Sequence, residues 1–248
     1  AIVDTRIDGY KVSNPIGFQG REVMMSVFNA FSPLVHYGAL QTICAELDKE
    51  LLAIMAEPYA VGRLLGGTEL QGYSGIFIDV GGGTTDLSIV IDGSVIGTKM
   101  FNLGGRAFTK RLAQALNISH EEAEEVKIAF SNNQLEHQSQ TIVGKALAGD
   151  TEIWLSGVYF SLQELSDIDS LPPTVYLCGG GSLLPLLKDG LESSDWYKNL
   201  KFPRKPQVKY LLPKNISHVK DLTKQLDSPA DITPMALASV GMEILSEE

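Results

Sequence analysis

Cysteine is scarce. Cys44 and Cys178 are the only two in 248 residues, far apart and each in an apolar stretch. Such a pair frames no disulfide scaffold, and both thiols are expected to be buried and free. The four histidines are scattered and show no metal-ligand spacing, which removes the usual zinc arrangements. No run of about 18 uncharged apolar residues occurs, so no membrane-spanning helix is expected. The opening residues, AIVDTRIDGY, carry charges too early for a signal peptide. Positive charge is in deficit: 20 Lys and Arg stand against 30 Asp and Glu, a formal net charge of -10. An acidic surface repels phosphate backbones, so no nucleic-acid partner is expected. The nearest basic cluster, Lys198, Lys201, Arg204, Lys205 and Lys209, is broken by Pro203 and Pro206 and reads as a solvated loop. Repeats and low-complexity runs are absent.

What is present is ordinary globular composition, 44% hydrophobic and 20% charged, with enough chain for a large buried core. Residues 22–29 (EVMMSVFN) read as a strand. Leu40, Ile43, Cys44, Leu47, Leu51 and Ile54 recur at helical spacing and predict an amphipathic helix over 38–53. A short helix over 59–65 follows Pro58 and stops at Gly66-Gly67. Then come a buried strand (76–80), three glycines, a strand (86–91), the hairpin turn Asp92-Gly93, and a strand (95–101). A helix over 105–116 follows Gly104-Gly105. Ser119 with Glu122 forms a capping-box pattern opening a helix over 120–130. Residues 131–150 read as weakly helical with loops, and 151–164 as a helix. A strand (174–178), the turn Gly179-Gly180-Gly181, a helix (182–191), a strand (208–212) and a last helix (233–246) with Thr233 and Pro234 at its start complete the chain. This mixture argues for an α/β fold with helices on both sheet faces.

The chemistry is concentrated in Asp79-Val80-Gly81-Gly82-Gly83-Thr84-Thr85-Asp86. Glycines let backbone N–H groups approach an anion closely, and a concave row of such donors binds phosphate. Thr84 and Thr85 add hydroxyls, and Asp79, at the end of a buried strand, suits a magnesium-bound water shell. A Walker loop needs a lysine and then a helix, and a dinucleotide fingerprint also needs a helix next. Here Thr84-Thr85-Asp86 leads into a strand, so the donors come from a hairpin.

This octapeptide resembles the second phosphate loop of the actin-like ATPases (actin, DnaK chaperones, sugar kinases). Other stretches match that superfamily in the same order: Glu57-Pro58-Tyr59-Ala60 its first connecting helix, Asn102-Leu103-Gly104-Gly105 its post-hairpin turn, Leu177-Cys178-Gly179-Gly180-Gly181-Ser182 its adenosine motif, and 234–244 its second connecting helix. The resemblance implies a two-lobed, ribonuclease H-like α/β fold with mixed sheets and a partial first lobe. It implies ATP or ADP with Mg2+ as ligands, held by Gly81, Gly82, Gly83, Thr84, Thr85, Gly105, Glu124, Lys127, Gly179, Gly180, Gly181 and Ser182. Glu124 and Lys127, which share a helix face, would touch the ribose and base. Glu57 would orient the attacking water and Asp79 hold the magnesium shell, in at most a slow ATPase.

Within the superfamily, Asp8-Gly9-Tyr10, Asn14-Pro15-Ile16-Gly17 and Gly20 resemble the exit from the extra subdomain of the FtsA family of bacterial cell division. That resemblance implies a cytoplasmic adaptor at the inner face of the membrane that polymerises and docks a tubulin-like (FtsZ-like) division protein. It also implies a lobe division of 1–56 with 233–248 against 57–232, residues 1–20 ending the extra subdomain. The superfamily's first phosphate loop is not recognisable, so the chain is expected to be N-terminally incomplete and to bind nucleotide more readily than it cleaves it. No basic amphipathic segment closes the chain, so membrane attachment is expected only through segments absent here. A pilus-assembly (PilM-like) or chaperone-like ATPase, or a small-molecule kinase, are the alternatives on this fold.

Overall fold

The computed structural model describes residues 2–12, 14–66, 73–165, 168–216 and 219–247. The chain opens with a small antiparallel sheet in which β1 (Ile2–Ile7) pairs with β2 (Tyr10–Lys11) on one edge and β3 (Val23–Val27) on the other. Asp8 and Gly9, at φ of 50° and 85°, make the tight turn between β1 and β2, the backbone pairing that short hairpins favour. Pro15–Phe18 form a turn, with the Phe18 N–H donating to the Pro15 carbonyl at 3.2 Å. No strand was expected over 2–7, where β1 stands.

Helix α1 (Leu34–Glu46) begins earlier and ends sooner than the 38–53 expected from its apolar spacing. The reason is its C-terminus. Asp48 takes a left-handed conformation, φ 51°, and the Lys49 and Asp48 N–H groups donate to the Cys44 and Ala45 carbonyls at 2.8 and 3.1 Å. That is a Schellman closure, and it throws Leu51 and Ile54 out of the helix. Nothing on α1 is buried among the described residues, and Cys44 is half-buried, not fully so as expected. Leu34, Val35 and Ile43 are exposed with it, as is the whole of β3.

The rest of the chain builds around a five-stranded sheet. Helix α2 (Glu57–Gly66) precedes β4 (Gly75–Val80), β5 (Thr85–Ile91) and β6 (Ser94–Phe101), an antiparallel meander. Gly67, expected to help end α2, lies outside the described residues. Asp92 and Gly93, at φ of 50° and 78°, form the expected hairpin turn. Lys11 reaches that turn, its ammonium donating to the Asp92 carbonyl (3.2 Å) and the Ser94 hydroxyl (3.0 Å), which ties the small sheet to the large one.

Helix α3 (Gly105–Leu116) then stops at Asn117 in the left-handed region, and α4 (His120–Ser131) opens on the expected capping box. The Glu122 N–H donates to the Ser119 hydroxyl at 3.2 Å, and the Ser119 N–H to the Glu122 carboxylate at 2.9 Å. Residues 131–150 depart from expectation. They lie mostly in one long helix, α5 (His137–Gln163), continuous through Gly144 and Gly149. Glycine weakens a helix locally, but Val143, Leu147, Trp154, Val158 and Leu162 bury one stripe, and tertiary burial outweighs the local deficit.

Strand β7 (Thr174–Cys178) pairs parallel with β4, and β8 (Gln207–Tyr210) parallel with β7, giving the order β6-β5-β4-β7-β8. Between them lie a 3-10 turn (Gly180–Leu183) and α6 (Pro185–Ser193), where a single helix over 182–191 was expected. The last helix, α7 (Ile232–Glu247), follows a 3-10 turn (Pro229–Asp231) that Ser228 caps. Thr233 is therefore not the cap expected of it.

All six residues of β4 are buried, so both faces of the sheet are covered. Period-2 alternation sorts the side chains. Ile76, Ile78, Leu87, Ile89, Val175 and Leu177 face α3, α4, α5 and α6. Phe77, Val90 and Cys178 face α2 and α7, meeting Tyr59, Leu64, Ile232 and Met235. Asp79 shares the side of Phe77, two residues on along the strand. Among the described residues no helix is long and apolar enough to cross a membrane.

Candidate functional site

The β4–β5 register pairs Val80 with Thr85, which leaves Gly81–Thr84 as a four-residue turn closed by the Gly81 N–H on the Thr84 carbonyl at 2.9 Å. The Gly81 and Gly82 carbonyls accept the Gly105 and Arg106 N–H groups at 2.9 and 2.8 Å. The turn is thereby fastened to the start of α3, with two carbonyls directed into that contact. Among the described residues the N–H groups of Gly82 and Gly83 donate to no protein acceptor. Unspent donors on a tight turn form an anion-binding concavity.

The second glycine turn follows β7. Gly179 has φ 79° and its N–H donates to the Pro229 carbonyl at 2.9 Å. Gly180 begins the 3-10 turn, so the first N–H groups there have no partner within it. A Cβ on Gly179 would collide with the Asp79 carboxylate, and one on Gly181 would stand 2.6 Å from the Val80 side chain. A Cβ on Gly180 would meet only Ala230, at 3.9 Å. Gly179 and Gly181 are thus required by the packing of β7 on β4, whereas Gly180 is open.

Between the two turns lies a cavity of about 580 Å³. Gly81, Gly82 and Gly105 line one side, Gly180 and Gly181 another, and Glu124 and Lys127 of α4 a third, with Ile128, Leu183 and Leu184 supplying apolar wall. The Lys127 ammonium donates to Glu124 (2.8 Å), to the Thr109 hydroxyl (2.8 Å) and to the Gly105 carbonyl (3.1 Å), while Thr109 donates to Glu124. Burial pushes the Glu124 carboxyl up, but the bonds from Lys127 and Thr109 and the lysine charge outweigh it and hold it below the ordinary range. This cluster locks α4 onto the first turn of α3. A second cavity, about 620 Å³, lies against α1 and residues 51–56, lined by Phe31, Leu40, Leu52 and Ile54 among others and by no charged group. It offers nothing for an anion.

On the α2 and α7 side of the sheet, three carboxylates gather. Asp79 and Asp86 are directly opposed across β4 and β5, an arrangement that like charges disfavour. Burial pushes Asp86 up to about 6, offset by its bond from Thr84 and reinforced by the charges of Glu57 and Asp79. Burial likewise raises Asp79, against a lowering bond from Thr233, and raises Glu57, with the Asp79 charge adding to it. Thr233, on the first turn of α7, donates its hydroxyl to Asp79. Among the described residues no three carboxylate, imidazole or thiolate groups converge to ligate a metal directly.

The residues expected at the site separate accordingly. Gly81, Gly82, Gly105, Glu124, Lys127, Gly180 and Gly181 line one cavity, and Gly83 and Thr84 complete the turn between β4 and β5. Thr85 and Ser182 are corrections. Both are fully buried; the Thr85 hydroxyl donates to the Leu103 carbonyl at 2.6 Å and accepts the Trp154 indole N–H at 2.9 Å, and the Ser182 hydroxyl donates to the Gly179 carbonyl at 2.7 Å. Neither side chain is free for a ligand. Gly179 belongs with them as scaffold. Arg106 was not singled out from the sequence, Asp86 was named only as the end of the glycine octapeptide, and Thr233 only at a helix start. Asp86 was legible from hairpin register; the other two depend on contacts between distant elements.

A family model, cell division protein FtsA, matches residues 76–232. The FtsA of Neisseria meningitidis serogroup B is 27% identical over 129 residues, 52% of this chain and 30% of that protein. The FtsA of Pseudomonas aeruginosa is 33% identical over 87 residues, 35% of this chain and 20% of that protein. The matched stretch spans less than a third of those relatives' length. Among solved structures, the PilM-PilN type IV pilus biogenesis complex is similar with a TM-score of 0.64 at 20% identity, over 83% of this chain and 57% of that one. MreB5 of Spiroplasma citri bound to ADP is similar with a TM-score of 0.54 at 17% identity, over 86% and 67%. These structural likenesses are of fold, the two-lobed actin-like one.

Proposed function

The chain belongs to the FtsA family of cell division proteins, and from that membership we propose that it binds ATP or ADP in the cavity between its two glycine turns. The observation that carries this reading is the pair of turns themselves: Gly82 on the first turn, which with Gly83 keeps unspent N–H groups, and the open Gly180 on the second line one cavity with the Glu124–Lys127 cluster on its wall. The donors on the first turn suit the phosphates, and the α4 cluster with its apolar neighbours suits the nucleoside. The MreB5 structure bound to ADP has the same fold. Residues 1–56 and 233–248 then form part of a first lobe and 57–232 the second, with α2 and α7 as connections.

Asp79 fits the outer shell of a magnesium ion brought in on the nucleotide. Its carboxyl is buried and raised, and a cation beside it relieves that cost. Such an ion neutralises phosphate charge. Glu57, at the start of α2, is the residue to orient water. In the cell the protein would act in the cytoplasm, at the inner face of the membrane, self-associating and docking a tubulin-like division protein. Calorimetry with Mg-ATP tests the site. Wild type should bind and Gly180→Val should not, while both unfold at the same denaturant concentration, because a side chain at 180 fills ligand space and nothing else. Equal binding by the two would remove the nucleotide from this cavity.

A further inference from the structure

The charges around the cavity are unevenly committed. Lys127 is spent on Glu124, Thr109 and the Gly105 carbonyl. Glu57, Asp79 and Asp86 put three carboxylates at the ends of the strands that carry the loop and on α2; burial raises Glu57 and Asp86, and repulsion from the neighbouring carboxylates adds to it. A polyphosphate entering here meets donors on the loop and negative charge beneath it. Among the described residues lining the cavity, Lys127 is committed and the guanidinium of Arg106 is not. The Arg106 side chain, at the second position of α3, lies along the loop: a Cβ on Gly82 would stand 3.4 Å from its Nε and Nη2, and one on Gly83 would stand 3.2 Å from Nη2. Arg106 lines the same cavity, is exposed, and among the described residues its guanidinium has no carboxylate partner. Its own N–H fixes the loop through the Gly82 carbonyl, so its backbone and side chain address the same two glycines.

We propose that Arg106 is the phosphate-tail counter-charge of this site, selecting nucleoside polyphosphates over the nucleoside alone; the proposal rests on the nucleotide reading above. A guanidinium stays charged at any working pH and offers a planar fork of N–H donors that matches phosphate oxygens two at a time. Glycine at 82 and 83 serves it twice, exposing N–H donors and leaving room for the guanidinium across the turn. A lysine at this position would keep the charge but lose the fork, so charge and geometry are separable by substitution.

The test compares affinities for Mg-ATP, ADP and adenosine in wild type, Arg106→Gln and Arg106→Lys, each checked for an unchanged unfolding midpoint. Removing a charge-assisted bond should weaken Mg-ATP and ADP by roughly ten- to a hundredfold and leave adenosine unaffected, with Arg106→Lys in between. The salt dependence of Mg-ATP binding should also become shallower in Arg106→Gln. Unchanged Mg-ATP affinity in Arg106→Gln, with wild type binding normally, overturns the role of Arg106 and leaves the nucleotide site standing. An equal loss for adenosine would make Arg106 a prop for the loop and overturns it too. Wild type that binds none of the three removes the nucleotide reading and this inference together.

Discussion

Asp86 faces Asp79 across two strands, with Glu57 close enough to raise its carboxyl further. Its displacement from 3.8 to about 6 has a defined sign. A carboxyl whose folded value is raised favours the folded state fully below the unfolded value and loses that contribution as pH rises through the folded value. Without ligand, therefore, wild type should lose stability relative to Asp86→Asn between about pH 4 and pH 6, with the gap level above that. At about 1.4 kcal/mol per pH unit the full displacement would be worth roughly 3 kcal/mol; the side chain is partly exposed, and screening reduces this to about 1–2 kcal/mol. Urea unfolding of both proteins across pH 4–7 measures it, and a gap that does not change with pH would contradict it. The glycines teach a related lesson. All are visible in the sequence, yet what each one clears is not: Gly179 makes room for Asp79, Gly181 for Val80, Gly82 for Arg106 and Gly180 for nothing in the protein.

At the scale of elements, the site is held by α3 and α5. Gly104 precedes α3 with φ -141°, a conformation any residue adopts, so its glycine requirement is steric. A Cβ there would sit 2.5 Å from the Gly81 carbonyl oxygen and 2.9 Å from the Thr84 nitrogen. Gly104→Ala should therefore force the Gly81–Thr84 turn off the helix and cost about 3 kcal/mol of stability, read as a lower denaturant midpoint. An unshifted midpoint would mean that the loop yields without cost. From the other side, Trp154 of α5 holds Thr85 and through it the Leu103 carbonyl. Elements whose signals are local were legible: the β4–β5–β6 meander from its apolar runs and Asp92-Gly93, α4 from its capping box, the β4–β5 turn from its glycines. Those settled by distant contacts were not. The continuity of α5 depends on Leu147 and Trp154 finding a core that its glycines do not advertise. The end of α1 depends on Asp48 turning left-handed, which apolar spacing does not report.

For the whole molecule, the two sheet faces divide the labour. Ile76 and Ile78 anchor β4 to the α3–α6 layer, while the opposite alternation carries Asp79 toward α2 and α7, where it accepts a hydrogen bond from Thr233 and its charge raises Glu57 beyond the effect of burial. One carboxylate is thus coupled to α2 through charge and to α7 through a hydrogen bond. A buried strand was readable at β4, but the identity of the helices covering its Asp79 face was not, which is why Thr233 was taken for a cap. If Glu57 orients water and Asp79 serves the magnesium shell, the two should separate cleanly in solution. Phosphoryl transfer relies on positioning and charge stabilisation. A raised carboxyl such as Glu57 is better matched to proton acceptance near neutral pH than an ordinary one. Glu57→Ala should slow phosphate release about a hundredfold while leaving Mg-ATP affinity intact. Asp79→Ala should reduce the difference between ATP affinity with and without magnesium, and should free Thr233, so that α7 loses its tie to the sheet and the unfolding midpoint moves as well. Phosphate release and calorimetry on both variants, with and without magnesium, provide the four readings. Turnover that Glu57→Ala leaves untouched would assign the water to another residue, and an undiminished magnesium effect in Asp79→Ala would take the ion away from β4.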